Sequence, residues 1–250
     1  MNELEILELI ENAKINTTTS LYLSEMGLMT VPEEIGNLDE LVWLYLSENN
    51  LTDLPPAIAS LKKLTWLHLE MNQFTAIPEV VTKIKSLTVL NVAENQITHL
   101  PITIQNLPSL ARLDMNDNLL TTLPPEIKFL KFLTWLDLCE NQLHSLPPEI
   151  AFLTNLTEVD LRHNRLTSLP PEIGSLTSLT DLYLGHNQIK SLPPEISCLT
   201  KLTELDLSFN CLTTLPPEMC NLKNLERIDL RGNAIDAESL GYLQHGVILI

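Results

Sequence analysis

The stretch "LTWLDLCENQLHSLPPEIAFLTN" (133–155) decides the fold, because its frame recurs along almost the whole chain of 250 residues. The frame reads L-x-x-L-x-L-x-x-N-x-L-x-x-L-P-x-x-I-x-x-L. Its asparagine returns at an unbroken spacing of 23 residues, at Asn49, Asn72, Asn95, Asn118, Asn141, Asn164, Asn187, Asn210 and Asn233. A fixed period of this length indicates a solenoid of stacked structural repeats.

This period predicts ten repeats, and the first of them departs from the frame by placing Met26 where an asparagine is expected. No repeat of this size can bury its own leucines, whereas stacked neighbours share one continuous core. We therefore predict an N-terminal capping helix (1–16), a single solenoid domain of ten repeats (17–235) and a C-terminal cap (236–250). The repeats begin near Thr18, Leu41, Leu64, Leu87, Leu110, Leu133, Leu156, Leu179, Leu202 and Leu225.

Each L-x-x-L-x-L segment predicts a short parallel strand. Side chains alternate across a strand, so Leu67 and Leu69 face the core while Trp66 and His68 face outward. The following asparagine turns the chain, because its amide can bond backbone groups that have left the strand ladder. The prolines of L-P-P-E-I prevent further strand pairing and suit the first turn of a short helical segment. The predicted fold is an α/β solenoid with a parallel concave sheet and short helical or irregular convex segments.

The nine asparagines and the L-P-P-E-I segments resemble the leucine-rich repeat family, over roughly residues 1–245. The resemblance is to its 23-residue "LPPEI" class, which occurs in intracellular Ras-group repeat proteins and at the N-termini of bacterial Roco proteins. It implies a horseshoe-shaped solenoid. No phosphate-loop pattern is present in the sequence, so the GTPase part of a Roco protein does not lie in this chain.

Both ends of the solenoid are predicted to carry covers for its core. Residues 3–14 predict an amphipathic helix over the first repeat, with a broad apolar stripe. Asp236 predicts the N-cap of a last helix that reaches about His245 and ends at Gly246. The final "VILI" (247–250) either covers the last repeat or adds an edge strand. The stripe of the first helix comprises Leu4, Ile6, Leu7, Leu9, Ile10 and Ala13.

Charge and composition exclude several classes of partner and location. The net charge of −17 argues against nucleic acid and permits a basic protein partner. No apolar run approaches the length of a membrane span, and "MNELEILELIENAK" (1–14) is too acidic for a secretory signal. We interpret Asn155-Leu-Thr and similar glycosylation patterns as accidents of a Thr-rich repeat. A cytoplasmic location, away from membranes, is predicted with four free thiols at Cys139, Cys198, Cys211 and Cys220.

No catalytic or metal-binding motif is found in the sequence. The seven glycines form no phosphate loop, dinucleotide fingerprint or nucleophile elbow, and H-E-x-x-H and C-x-x-C are absent. His163 and His186 occupy equivalent positions near Asp160, but four metal ligands cannot be drawn, which favours surface histidines over a metal site. Cys139 has no apparent histidine base and is interpreted as a free thiol. We predict no enzymatic activity, no cofactor and no metal.

The outward position between the two strand leucines carries a row of polar and aromatic side chains, about 4.8 Å apart on adjacent strands. Asp114, Asp137 and Asp160 are consecutive in this row and predict a ladder of like charges, which raises pKa values or attracts a cation. The ladder is either ordinary repeat composition or a strip that docks Lys or Arg side chains of a partner. The full row is Tyr22, Tyr45, His68, Asn91, Asp114, Asp137, Asp160, Tyr183, Asp206 and Asp229.

All three tryptophans share one repeat position, immediately before a core leucine, and are therefore predicted to point outward. Exposed aromatic clusters mark contact surfaces, and Trp and Tyr dominate interface hot spots. The alternative is that these rings pack across the sheet and stiffen it. The predicted partner site comprises Tyr22, Trp43, Tyr45, Trp66, His68, Arg112, Asp114, Trp135, Asp137, Asp160, Arg162 and Tyr183.

Residues outside this site bear on the choice of working surface. Phe129 and Phe152 are 23 residues apart near the convex side, with Phe132 between them, and form either a stacked spine between repeats or a second contact patch. Eight lysines fall in the convex third of their repeats, whereas all five arginines fall in a strand or the turn beside it. The planar guanidinium suits protein carboxylates, so this distribution favours the concave face.

The sequence thus predicts a monomeric scaffold that binds a protein partner, one with basic residues, on its concave face. The alternative is the recognition arm of a larger signalling protein, a Roco-like GTPase or similar, whose other domains are not in this chain.

Overall fold

A computed structural model describes residues 3–241, 243 and 248–249, and it contains one open parallel sheet in which eleven strands follow sequence order. Each of the first nine strands pairs with the next in a register of one repeat, so that Trp43 lies beside Trp66 and Asp114 beside Asp137. The strands are β1 Ser20–Tyr22, β2 Trp43–Tyr45, β3 Trp66–His68, β4 Val89–Asn91, β5 Arg112–Asp114, β6 Trp135–Asp137, β7 Glu158–Asp160, β8 Asp181–Tyr183, β9 Glu204–Asp206, β10 Arg227–Asp229 and β11 Ile248–Leu249.

The leucines of the frame form one continuous core beneath this sheet. In the sixth repeat Leu138, Leu143 and Leu153 are fully buried, and Leu136 and Ile150 are 1% exposed. Complete burial stabilises each such side chain by about 1.5–3 kcal/mol. The predicted leucine-rich repeat solenoid is confirmed.

The asparagine ladder satisfies the backbone groups that leave the strands, as the sequence predicts. Asn141 Oδ1 accepts a hydrogen bond from Leu120 N at 2.9 Å, and Asn141 Nδ2 donates to the carbonyl oxygens of Met115, Leu138 and Cys139. One side chain therefore ties its own turn to the preceding repeat.

The residue before the asparagine position adopts a left-handed backbone conformation, which sequence analysis did not anticipate. This conformation costs an L-residue about 1–2 kcal/mol, and it is held by the stack, since Glu140 N donates to Arg162 O at 2.9 Å. The non-glycine residues concerned have φ between 48° and 59°: Glu25, Glu48, Met71, Glu94, Asp117, Glu140, His163, His186 and Phe209. Gly232 takes the same place in the tenth repeat, with φ 74°.

The convex side consists of short 3₁₀ helices, which confirms the expected helical segments. Pro147 is extended (φ −72°, ψ 149°), Pro148 opens the helix, and Ile150 N donates to Pro147 O at 3.0 Å. Within the described residues these helices are Glu33–Asn37, Pro56–Ser60, Val81–Lys83, Ile102–Asn106, Pro125–Phe129, Pro148–Phe152, Pro171–Ser175, Pro194–Cys198 and Pro217–Asn221.

Helix α1 (Glu3–Ile15) packs on the first repeat with a narrower stripe than expected. Ile6, Ile10 and Ala13 are buried, at spacings of four and three residues that place them on one side of a helix. Leu4 and Leu9 are 74% and 36% exposed, so their assignment to the buried stripe is wrong. Leu4 lies nearly opposite Ile6 on the helix, whereas Leu9, three residues after Ile6 and four before Ala13, lies at the margin of the buried side.

At the other end Asp236 caps helix α2 (Ala237–Leu240), and its carboxylate accepts from Ser239 N at 2.7 Å. The helix ends at Gly241, so the predicted extension to about His245 is wrong; His245 and Gly246 lie outside the described residues. Part of the final "VILI" forms β11, which pairs with β10 as an edge strand. In the described part of the chain, no helix is both long and apolar enough to cross a membrane.

Candidate functional site: the concave face

The first and third residues of each repeat strand face away from the core, and together they form the concave face. The middle residues are buried; Leu67 is fully buried and Leu136 is 1% exposed. Residues of one row lie side by side because every repeat has the same length, as Tyr45 and His68 do in the β2–β3 register. A side chain on this face therefore has a fixed neighbour in the next repeat.

Five rings on β1–β3 form an aromatic patch: Tyr22, Trp43, Tyr45, Trp66 and His68. The rings of Tyr22 and Tyr45 are stacked with centroids 4.7 Å apart, and those of Tyr45 and His68 with centroids 4.8 Å apart. Tyr22 and Trp66 are 65% and 37% exposed, whereas Trp43 and Tyr45 are half-buried. Because the rings stack along the sheet, their edges rather than their faces point into the concave space.

An acidic group adjoins the aromatic patch. His68 Nδ1 lies 3.4 Å from Glu70 Oε2. Burial opposes ionisation of Glu70, but hydrogen bonds from His68, its own backbone and Ser47 outweigh that effect and lower the pKa of Glu70. Burial also raises the pKa of Tyr45, with smaller contributions from Tyr22 and Glu70. The patch is thus an apolar surface with an ionised carboxylate at its edge.

The predicted acidic ladder is only partly free. Burial raises the pKa of Asp114, against hydrogen bonds from Asn116, and raises the pKa of Asp137 to about 7, with smaller contributions from Asp160 and Asp114. Asp160 is 5% exposed and its carboxylate is bound by the Arg162 guanidinium. Arg162 follows two residues after Asp160 on the same face, so Asp160 is ion-paired, whereas the raised pKa values of Asp114 and Asp137 agree in direction with the effect expected of the ladder.

Two arginines of the predicted site lie over aromatic rings. The Arg112 guanidinium is 4.7 Å from the Trp135 ring centroid, and that of Arg162 is 5.0 Å from the Tyr183 centroid. Such cation–π contacts contribute about 0.5–1 kcal/mol at exposed sites. Trp135 is separate from the aromatic patch because it lies on β6, three strands beyond β3. Tyr183 on β8 lies further along the face.

Comparison with families of known sequence agrees with this architecture. The family model described as "Leucine rich repeat" matches residues 131–189, 154–210 and 177–235. A second model, described as "Leucine-rich repeat region", matches residues 17–110. Together the matches cover more than half of the chain.

The chain is a leucine-rich repeat protein. Three solved structures resemble this repeat protein over most of its length. The plant peptide hormone receptor RGFR1 in complex with RGF2 is 29% identical, with a TM-score of 0.69 and coverage of 85% of this chain and 40% of the receptor. The functional domain of InlJ from Listeria monocytogenes, which includes a cysteine ladder, is 27% identical, with a TM-score of 0.74 and coverage of 92% and 48%.

The third structure, PEPR1–AtPEP1, is 30% identical, with a TM-score of 0.68 and coverage of 86% of this chain and 35% of the other. This repeat protein therefore spans less than half the length of each of these three structures. Comparison with curated proteins gives no match.

Cys139, His163 and His186 are the remaining reactive side chains considered from the sequence. Burial, followed by the charges of Asp160 and Asp137, raises the pKa of Cys139 to about 12, which disfavours the nucleophilic thiolate. The rings of His163 and His186 are exposed and stacked with centroids 4.2 Å apart. Among the described residues, no group of three or more His, Cys, Asp or Glu side chains is placed to hold a metal ion.

The phenylalanines of the convex side do not form the spine considered from the sequence. Phe129 and Phe152 are 44% and 56% exposed, and Phe132 is 65% exposed. In the described part of the chain the rings of Phe129 and Phe152 do not contact each other, so the stacked-spine interpretation is wrong. The buried aromatic residue is instead Phe74, which is fully enclosed.

The residues two positions beyond each strand continue the concave face. Sequence reasoning included Arg162 among the site residues but missed the equivalent residues of the other repeats. Glu70 and Arg231 belong to this extension, and Arg231 binds the Asp229 carboxylate as Arg162 binds Asp160. The signal was present in the sequence as D-L-R at 160–162 and 229–231. Strand alternation, continued by one further step, places both members of each pair on one face.

Proposed function

We propose that this leucine-rich repeat protein is a scaffold that binds a protein partner on its concave face, with the aromatic patch as the apolar anchor. One observation carries the proposal: aromatic rings from three adjacent strands form a contiguous, partly exposed surface on an open sheet. Aromatic clusters on the surface of a soluble protein mark contact sites, and Trp and Tyr are the commonest interface anchors.

The structural relatives support a protein or peptide ligand. RGFR1 is in complex with RGF2, and PEPR1 is present with AtPEP1. These ligands belong to those proteins. Because this chain shares their fold, we propose that it uses its repeat surface in a similar way.

The charges of the face support a partner segment with an apolar anchor and basic side chains. Glu70 lies beside the aromatic patch, and Asp114 and Asp137 continue from β5 to β6. The net charge of −17 favours the approach of a cationic partner. Binding should therefore weaken as salt is added, because exposed charges are screened within about 10 Å at 0.1 M ionic strength.

The double variant Trp43→Ala, Trp66→Ala tests the anchor. We expect it to lose about 2–4 kcal/mol of binding free energy, as central aromatic anchors do. Its free energy of unfolding should change by no more than about 1 kcal/mol, because no cavity forms in the core. The measurement is capture of partner from lysate by the immobilised protein, followed by calorimetry with the captured partner.

The matched control is Phe129→Ala, Phe152→Ala, which removes two exposed aromatic rings from adjacent repeats on the convex side. It should retain full binding. Normal binding by the Trp43, Trp66 double variant, together with a large drop in melting temperature, would assign those rings to structure and reject the proposed site.

We also propose that the protein is a monomer, acts in the cytoplasm and has no enzymatic activity. Four free cysteines support a reducing compartment. The amide nitrogen of Asn155, in one of the glycosylation patterns, donates to Lys131 O at 2.7 Å and is thus already engaged. Cell fractionation, light scattering and calorimetry with GTP and ATP test these three points. Saturable binding of GTP or ATP would contradict the proposed absence of enzymatic activity.

A further inference from the structure

A recess of about 580 Å³ opens on the concave face between β7 and β10, well beyond the aromatic patch. Its volume lies in the range of sites that hold small molecules, about 300–1,000 Å³. Arg162 and Tyr183 belong to both the predicted partner site and this recess, whereas Asp206, Phe209 and Arg231 line only the recess.

Gly185 lies directly against the side chains of Asp206 and Ser208, which line the recess. A Cβ atom at this position would lie 2.7 Å from Asp206 Oδ2 and 2.8 Å from Ser208 Oγ, so those two groups lean into the space that a side chain would fill. The equivalent positions in the flanking repeats carry Arg162 and Ser208. The Asp206 carboxylate therefore occupies the space beside Gly185 that a side chain would fill, and its Oδ1 accepts a hydrogen bond from Ser208 N at 2.8 Å.

The charges that line the recess leave an excess of carboxylate. Each of three arginines is bound by its own acid: Arg162 by Asp160, Arg231 by Asp229, and Arg227 Nη1 by Glu204 Oε1 at 2.8 Å. The remaining acids are Glu158 and Asp206. The charge of Asp206 contributes to raising the pKa of Arg162 and of Arg231. Within the described residues, however, no guanidinium donates a hydrogen bond to Asp206 or Glu158.

Aromatic rings form the walls of the recess. The ring of His186 is stacked between those of His163 and Phe209, with centroids 4.2 and 4.4 Å away, so both of its faces are covered. The Tyr183 ring lies beside Arg162 and pairs with Asp206 in the β8–β9 register, so it is the ring left for a further planar group. A planar guanidinium stacks on aromatic rings and donates two parallel hydrogen bonds to a carboxylate, which a lysine ammonium cannot do. Rings and unpaired carboxylates in one recess therefore match arginine better than lysine.

We propose that the recess beside Gly185 is a subsite for a single arginine side chain, whose guanidinium binds Asp206 and stacks against the adjacent Tyr183 ring. The subsite deepens the proposed function and rests on it only for the source of the arginine, a basic segment of the protein partner. It is distinct from the aromatic patch, which lies on β1–β3.

The probe for this subsite is Nα-acetyl-arginine amide, titrated into the full ¹⁵N-labelled chain while the amide signals of Gly185 and Ser208 are followed by NMR. We expect saturable shifts at these two amides, and binding about tenfold weaker for the acetyl-citrulline amide, because a hydrogen bond to a charged group is worth about 1.5–3 kcal/mol. The lysine analogue should bind less tightly than the arginine probe. Equal binding of the citrulline and arginine probes would overturn the proposal.

Two variants and one control complete the test. Asp206→Asn keeps the acceptor for Ser208 N and removes the charge. Gly185→Ala keeps the charge but displaces the Asp206 carboxylate, because its Cβ would lie 2.7 Å from Asp206 Oδ2. Each variant should bind the probe about tenfold more weakly. Glu218→Gln, an exposed acid on a convex 3₁₀ helix, should leave the titration unchanged. Unaltered binding by the folded Asp206→Asn variant would reject the subsite. Because the probe contains no partner protein, this result is independent of the Trp43, Trp66 test.

Discussion

At the scale of single residues, Gly232 occupies a left-handed position against a ring. Its φ is 74°, and a Cβ atom there would lie 2.6 Å from Phe209 Cδ1. Gly27 has a similar φ of 66° but no atom within 4 Å of the same point. The two glycines thus share a backbone requirement and differ in packing.

Gly27→Ala should cost at most about 1 kcal/mol, since the left-handed penalty of about 1–2 kcal/mol is partly offset by the reduced entropy of the unfolded chain. Gly232→Ala should cost a further 1–3 kcal/mol, roughly, from overpacking against Phe209. Urea denaturation of both variants measures the difference. Equal losses would show that the Phe209 ring moves aside freely.

Asp137 predicts an unusual pH dependence of stability. Its folded-state pKa of about 7 exceeds the ordinary value of 3.8, so the folded state binds more protons than the unfolded state between these pH values. The free energy of unfolding must therefore fall as pH rises through that window and stay lowered above it. Asp137→Asn keeps the acceptor for Cys139 N and removes the charge.

We expect Asp137→Asn to be more stable than the wild type at pH 8, by about 1–2 kcal/mol after allowance for solvent screening. The difference should shrink toward pH 4. Thermal unfolding at both pH values measures it, with Glu94→Gln, an exposed acid outside the strands, as the control. A variant less stable than the wild type at pH 8 would mean that ionised Asp137 is stabilised by the face.

At the scale of the repeat, the asparagine side chain is the unit that connects one turn to the next. Asn141→Ala should leave Leu120 N and three carbonyl groups without that partner, at a cost of about 1–3 kcal/mol. Asn233→Ala, in the last repeat, should cost less because its half-buried turn opens more easily. Urea denaturation with Gln142→Ala as the neighbouring control measures both. Identical midpoints for the wild type and both asparagine variants would refute the role of the ladder.

Repetition explains why the elements could be predicted from the sequence. Strand, turn and 3₁₀ helix each occur about ten times, so chance features of one repeat do not obscure the pattern. The left-handed residue was not predicted because Glu, Met and Phe, as in Glu140 and Phe209, carry no preference for that conformation. It is imposed by hydrogen bonds from the adjacent repeat, which no single repeat reveals.

At the scale of the whole molecule, the orientation of the candidate site was predictable and its details were not. Strand alternation placed Trp43, Trp66 and Tyr45 on one face correctly. It did not reveal that Asp160 is buried beneath Arg162, because burial depends on a contact between side chains. The recess beside Gly185 also escaped, since it depends on which charged side chains of neighbouring strands and turns pair with each other.

The equal length of the repeats gives the side chains of the concave face a constant spacing. The centroids of neighbouring aromatic rings are 4.7–4.8 Å apart, whereas successive turns of an α-helix are about 5.4 Å apart. A straight helix laid across the strands therefore slips by about 0.6 Å at each strand. Tyr183 on β8 lies five strand-to-strand steps from Trp66 on β3. The slip between them therefore reaches about 3 Å, which is more than half of the spacing between neighbouring strands. A single straight helix cannot be in step with both the aromatic patch and the recess, so a partner that uses both must present an extended segment or two separate elements.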